Sequence, residues 1–382
     1  MSDSGVRLQL RLGDEKPSLA PAEVMEALLD LKVTNKDRER DGFEMKFSLG
    51  RNVRGSYGLL DSGLLNPEKR AVIVLIVRAF SQVLIDGFIT QLQFIPSNRP
   101  GESTLLVTGE DLGIKLDTIN PKKPHPQQTD SEIVESVLGK YKKYFEAKVT
   151  VTQEKPSVSE RVPSQRETDL QFIRRLAQRN GFIFYIEPAT PEKSTAYWGP
   201  ENRRDTQQPD LTMNMGAYTN LEASPTIRFN ALGPAKPEAK SLDLQKKSTA
   251  PASAAGDEPQ ALSRDPAKPL RTMQLCNTAH LSNSQAGLQA RTAGIDTANA
   301  VTVNGEIDTV RYGSVLRSRR LVNLRGVGAV HSGLYYVQEV VHQINRGLYK
   351  QTFTLTREGL GPRENKTPPA QENRGALLKF TA

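Results

Sequence analysis

The 382-residue sequence predicts a mainly β protein with an α+β insertion, in which two similar β-barrel units flank a smaller mixed α/β unit. Three observations carry that reading. Short apolar runs with strand periodicity recur from Val6 to Asp117, punctuated by Gly, Pro, Asn and Asp. A capped helix runs straight into an apolar strand at 166–188. Strand-like runs return across 270–361, and their glycines fall in register with those of the first series.

In the first series VRLQLRL (6–12) alternates apolar and polar side chains, the period of a half-buried strand. FEMKFSL (43–49), AVIVLIVRAF (71–80), VLIDGFITQLQFI (83–95) and STLLVTGED (103–111) follow at spacings that suit a barrel or sandwich. This first unit spans 1–117, and 205–232 could complete it. Asn35 to Asp41, NKDRERD, reads as a solvated turn between strands.

The mixed unit spans 118–204. INPKKPHPQQTD opens it as an extended linker, because proline disfavours helix in the residue before it. Asp130 or Ser131 then caps a helix through about Tyr144, with Ile133, Val134, Val137, Leu138 and Tyr141 on one face, and AKVTVTQ supplies a strand. The most informative stretch follows: RETDLQFIRRLAQRNGFIFYIEP, 166–188. Thr168 and Gln171 have the spacing of a capping box, Asp169 suits the positive end of the helix dipole, and Asn180-Gly181 supplies the left-handed stop. Leu170, Ile173, Leu176 and Ala177 form the core stripe, Arg174, Arg175 and Arg179 the wet face, and FIFYI a strand buried on both sides.

Between 233 and 269 Pro, Ala, Ser and Lys dominate, with too few apolar groups to offset the entropy of ordering, so this reads as a flexible linker or loop. The second β unit, 270–361, contains TVNGEID, SVLRSRRLVNL, GLYYVQEVVHQI and YKQTFTLTRE. Residues 362–382 read as a disordered tail whose apolar end, Ala376 to Phe380, could dock on a partner. Placing Gly87 on Gly333 also matches Gly101 with Gly347, Thr108 with Thr354 and Gly113 with Gly359 without a gap. Two unrelated hairpins, or two copies of one β-domain, both fit that register.

Composition narrows the function classes. The longest apolar run, Ala71 to Val77, is far short of the roughly 20 residues that cross a bilayer. The N-terminus has no apolar core of a signal peptide, so assembly in the cytoplasm without membrane insertion is expected. A single cysteine, Cys276, excludes an intrachain disulfide and a multi-cysteine zinc site. The net charge of +8 would suit nucleic acid, but the pairs Lys122-Lys123, Lys142-Lys143, Arg174-Arg175, Arg203-Arg204 and Arg319-Arg320 are scattered among acids.

No phosphate-loop, HExxH, GxSxG or EF-hand signature is present. GVGAVHSG (326–333) lacks GxGxxG spacing and leads into a strand, so it reads as a turn. His331, His342 and the Cys276–His280 pair do not make a convergent ligand set, and the adjacent acids Glu110 and Asp111 point to opposite faces of a strand. Trp198 could stack on a base or sugar, but more simply anchors a loop or interface. The sequence therefore predicts no catalytic, cofactor-binding or metal-binding residue.

ETDLQFIRRLAQRNGFIFYIE resembles the signature helix and strand of the phage late-control D family of tail hub proteins, which includes the hub part of VgrG. Asp86 to Asp117 is similar to that family's first hairpin, and Gly333 to Gly359, with His342 after its valine pair, to its terminal hairpin. The resemblance implies a structural, non-enzymatic hub: a homotrimer whose two tube-like barrels per subunit match a hexameric inner tube protein to a separate trimeric spike protein, alongside other baseplate proteins. No cofactor and no specific nucleic acid are implied. A basic nucleic-acid-binding protein and a cell-wall hydrolase are the alternatives.

Overall fold

The computed structural model describes residues 6–363 apart from 54, 78–79, 100, 157, 159–161, 204–206, 244–247, 253–259, 277 and 279–280; most of the predicted tail, with Ala376 to Phe380, lies outside the described residues. The fold is mainly β with helices. Alternation dictates the first strands: in Val6–Gly13, Leu10 and Leu12 are buried while Arg11 is partly exposed. The continuous run Arg70–Val77 is buried on both faces, Ala71, Ile73 and Leu75 in the main core and Val72 and Val74 against Val83.

One thirteen-stranded sheet carries both β units. Its first part runs Val6–Gly13, Arg70–Val77, Phe80–Ile95, Ser103–Asp111, Gly42–Leu49, Leu28–Lys36. The second runs Gln207–Thr212, Leu321–Arg325, Gly333–Asn345, Leu348–Arg357, Val301–Asp308, Thr226–Phe229. Ranked by position in the chain, the six strands of each part lie in the same spatial order. The units differ in the first strand, antiparallel to its neighbour in the first unit and parallel in the second, and in a short thirteenth strand, Ser18–Leu19, that pairs beside Val6–Gly13 in the first. Each unit has an apolar core, and that of the first also takes in Val315, Ile344 and Tyr349 of the second.

The hairpins also share a defect. Thr90 bulges opposite Thr108 and Gly109, and Gln338 bulges opposite Thr354 and Leu355. The bulges fix the repeat: Thr108 is equivalent to Thr354, as the glycine register predicts, and Gly101 and Gly347 both take positive φ in the turns, 81° and 85°. On the preceding strand the gapless register slips, because the turn of the first hairpin is the longer one. Gln91 faces Thr108 as Glu339 faces Thr354, so these two residues correspond. Gly87 is therefore equivalent to Tyr335 and not to Gly333.

The two units are joined edge to edge. Residues 30–36 pair antiparallel with 339–345, a seam not expected from the sequence, where LLDLKVTNK carries no assigned strand. Three further expectations change. Within 205–232, Gln207–Thr212 and Thr226–Phe229 pair with second-unit strands, so they extend the second unit and not the first. In SVLRSRRLVNL only Leu321–Arg325 is strand, since the arginines before it turn inward to partners described below. The described part of 233–269 contains short strands, Ala235–Glu238 on Arg271–Gln274 and Ser263–Pro266 on Gly359–Pro362, because backbone pairing there supplies order that side chains do not.

The mixed unit packs helices Asp130–Leu138 and Asp169–Asn180 on a three-stranded sheet ordered Ile183–Pro188, Ser194–Gly199, Phe145–Val149, around a separate core. Thr129, one residue before the expected cap, starts the first of these helices with a complete capping box to Glu132. That helix also stops early, at Leu138, before a 3-10 turn, Gly139–Tyr141.

Candidate functional site

The residues that chemistry would single out gather where the two β units meet the mixed unit. The central helix sets the geometry. Thr168 Oγ1 accepts from the Gln171 amide at 3.3 Å and donates to Asp117 Oδ1 at 2.6 Å, so half of the expected capping box is present and the hydroxyl also ties the helix start to the end of the first unit. Gly181 ends the helix at φ 68° as predicted. Leu170, Phe172, Ile173, Leu176 and Ala177 are buried. The face read as wet is only partly so: Arg179 forks onto the buried Asp130, and burial lowers the pKa of Arg174. The strand after it is not enclosed alike on both faces. Phe184 and Ile186 enter the mixed core, whereas Tyr185 faces a cleft. Trp198 is fully buried and its Nε1 donates to the Ile173 carbonyl at 3.2 Å, which makes it an anchor.

The segment Arg317-Ser318-Arg319-Arg320 is the pin of the junction. Arg319 is buried, takes a left-handed φ of 63°, and donates from Nη1 and Nη2 to Asp41 at 3.1 and 2.6 Å. Its guanidinium lies 4.4 Å from the Tyr185 ring centre, so one side chain touches all three units. Arg317 and Arg320 both pair with Glu187 of the mixed unit, at 3.2 and 3.1 Å. Asp41 is held in turn by Asn35 Nδ2 at 2.9 Å and the Lys36 amide at 3.0 Å, and its own amide donates to Asp111 Oδ2 at 2.9 Å. NKDRERD is thus no solvated turn: Asp37 and Asp41 are buried, Asp37 beside its neighbour Arg38 and Asp41 against the distant Arg319, a pairing that nothing local in the sequence reveals. Burial pushes the Asp37 carboxyl up to about 6, with Arg38 opposing. Burial followed by the Asp41 charge raises Asp111.

A second line of charges crosses the same junction. Arg38 bonds Glu201 at 2.6 Å and reaches Asp296; Arg203 bonds Glu201 at 3.0 Å and Glu358 at 3.3 Å. Burial would raise Glu201, but Arg203 and Arg38 outweigh it and hold the carboxyl below its ordinary value. His342 sits in the seam as a neutral ring. Its Nε2 donates to Asn35 Oδ1 at 3.0 Å and its Nδ1 accepts from the Tyr349 hydroxyl at 2.8 Å, with burial and then Arg317 pushing its pKa down to about 3.

The other sequence candidates do not converge. Glu110 is half exposed against Arg40 while Asp111 is buried, the opposed faces expected of neighbours on a strand. Residues 326–333 include a tight turn in which a side chain at Gly326 would strike the Met213 carbonyl. Cys276 is exposed, and His280 lies outside the described residues. Among the described residues no three His, Cys, Asp or Glu side chains form a group suited to a metal, and no helix is long and apolar enough to cross a membrane. Beside the pin, a cleft of about 1000 Å³ separates the outer face of the three-stranded sheet from helix Asn283–Thr297. Ser282 and Gln285 have the spacing of a capping box, and the Ser282 hydroxyl accepts from the Gln285 amide at 3.2 Å. The sequence reading nevertheless misses that helix, because its buried face is Gln285, Ala286, Gly287 and Thr292 and not an apolar stripe.

Repeated β units fused in one sheet and locked by buried ion pairs define a structural scaffold, and solved structures share its fold. The tail protein from Neisseria meningitidis MC58 matches with a TM-score of 0.60 at 14% identity, over 94% of this chain and 98% of that one. The prophage MuSo2 43 kDa tail protein from Shewanella oneidensis gives 0.59 at 13%, over 92% and 98%. An Escherichia coli component of the type VI secretion system gives 0.54 at 14%, over 89% and 77%. No curated protein matches the sequence. The family model of the phage tail baseplate hub (GPD) matches residues 125–347, more than half of the chain. The chain belongs to this family: it is a baseplate hub protein, a structural component of a phage tail or related injection particle.

Proposed function

We propose that the chain is a non-enzymatic adaptor, three copies of which form a ring that joins a hexameric inner tube to a trimeric spike around a central channel, in contact with other baseplate proteins. The carrying observation is the seam. Strand 28–36 of the first unit pairs with strand 333–345 of the second, and each half of that pairing has an unused equivalent in the opposite unit. The equivalent of 28–36 is Thr226–Phe229, which ends the sheet. The equivalent of 339–345 is the far part of 80–95, whose outer side has no strand partner beyond residue 89 among the described residues.

Equivalent residues follow from the ladders. Lys32 and Thr226 oppose Glu44 and Asn304, which in turn oppose Thr108 and Thr354. Transferring the internal seam, where Val33 opposes His342 and Asn35 opposes Val340, sets Ile227 opposite Phe94 and Phe229 opposite Leu92 of the next copy. Phe94 and Phe229 are 40% and 44% exposed, whereas Val33, His342 and Val340 are buried. Such head-to-tail pairing either closes into a ring or grows into a filament, and two units in each of three subunits give six like positions.

Native mass spectrometry of the chain assembled with its tube and spike proteins tests this. Trimers are expected, and Phe94→Lys or Ile227→Lys should abolish them while leaving the monomer folded. A chain that stays monomeric with both partners present, or variants that assemble as well as the parent, would overturn the proposal.

A further inference from the structure

We propose that the cleft between the outer face of the three-stranded sheet and helix Asn283–Thr297 docks an acidic, extended segment of another protein. This goes beyond the adaptor reading and does not depend on trimer formation. Charge carries the inference. Lys148, Arg203, Arg291, Arg317, Arg319 and Arg320 line the cleft against two carboxylates, Glu187 and Glu201, among the described residues. Glu187 is shared by Arg317 and Arg320, and Glu201 by Arg38 and Arg203. Asp41 and Glu358, beyond the lining, pair with Arg319 and Arg203, which leaves Lys148 and Arg291 as the cations without an ion pair among the described residues. Arg291 makes no ion pair among the described residues, and its Nε is buried without a partner. Arg319 is only 6% exposed, yet its Nε is also unpartnered although both its other nitrogens are engaged. Buried donors left open in this way are costly, and an incoming carboxylate would satisfy them.

A nucleic acid fits less well. Binding of single strands relies on free aromatic faces for base stacking. Here Tyr185 and Tyr197 pack on each other at 5.1 Å, and each has a cation on a face, Arg319 at 4.4 Å and Lys148 at 5.8 Å. Charge recognition is what remains to the cleft, and its volume of about 1000 Å³ admits several residues of chain.

Fluorescence anisotropy of the full chain with labelled octaglutamate, octalysine and an eight-residue thymidine oligonucleotide decides the matter. Octaglutamate should bind and octalysine should not. Arg291→Gln should weaken octaglutamate about fivefold, the loss of one charge-assisted contact. Glu187→Gln removes the carboxylate that competes inside the cleft and should tighten binding, while Lys122→Gln, exposed elsewhere, should leave it unchanged. Thermal melting shows whether Glu187→Gln has loosened the junction; if it has, Arg291→Gln alone carries the test. Binding unaffected by Arg291→Gln, or an oligonucleotide bound as tightly as octaglutamate, would overturn the assignment.

Discussion

The internal seam and the two open edges are built from equivalent strands, yet they differ in what lies beside them. At the seam, Val33 and Val340 are buried, His342 is fully hydrogen-bonded, and Arg319 pins the flank through Asp41. At the open edges the equivalent positions are Ile227, Leu92 and Phe94, apolar groups partly or largely in water, and no arginine pin stands beside them among the described residues. The contrast separates two jobs. Polar groups that must find one particular partner make the intrachain joint specific, while plain apolar edges suit a contact formed only on assembly.

The largest expected effect comes from the pin. Arg319→Ala leaves Asp41 buried without its cation and should cost about 3–5 kcal/mol, read from the urea midpoint of unfolding. Next, the two sides of the comparison can be set against each other directly. His342→Ala should cost about 2–3 kcal/mol in the isolated chain, because Asn35 and Tyr349 lose a buried partner. Phe94→Ala, its exposed equivalent, should change stability by about 0.5 kcal/mol or less. Equal costs would erase the distinction between seam and edge.

The seam should also respond to pH. The His342 ring titrates near 6.5 when unfolded and is held down to about 3 in the fold, so its contribution is complete above about 6.5 and is lost as pH falls toward 3. The parent chain's urea midpoint should therefore drop over that window, and His342→Gln should show a shallower drop. The smallest effect concerns the mixed unit: Thr168→Ala removes a helix cap and the bond to Asp117 and should cost about 1 kcal/mol. A null result in melting experiments would show that the helix start is held by packing alone.

Local rules explain what the sequence disclosed and what it hid. Ser103–Asp111 is legible from end to end because every second residue is buried, and the central helix because cap, stripe and glycine stop all agree. Leu28–Lys36 alternates only briefly, Leu31 and Val33 buried with Lys32 exposed between them, and was hidden by the bulge between Leu28 and Asp30 and by its polar end Thr34-Asn35-Lys36. Helix Asn283–Thr297 was hidden because its buried face is small and polar. The junction was least legible of all: Arg319 and Asp41 are 278 residues apart, and nothing local to either says that the charge is neutralised. The repeat was visible as glycines, but its true register rests on bulges that only strand pairing reveals.

Reproduction of the internal seam between copies is tested most directly by a double variant. Phe94→Cys with Ile227→Cys in a Cys276→Ser background places two thiols at facing positions of the proposed pairing, within the reach of a disulfide. Oxidised after assembly with tube and spike proteins and run without reductant, it should give a ladder ending at the trimer. Cross-links confined to single chains, or none in fully assembled particles, would contradict the account.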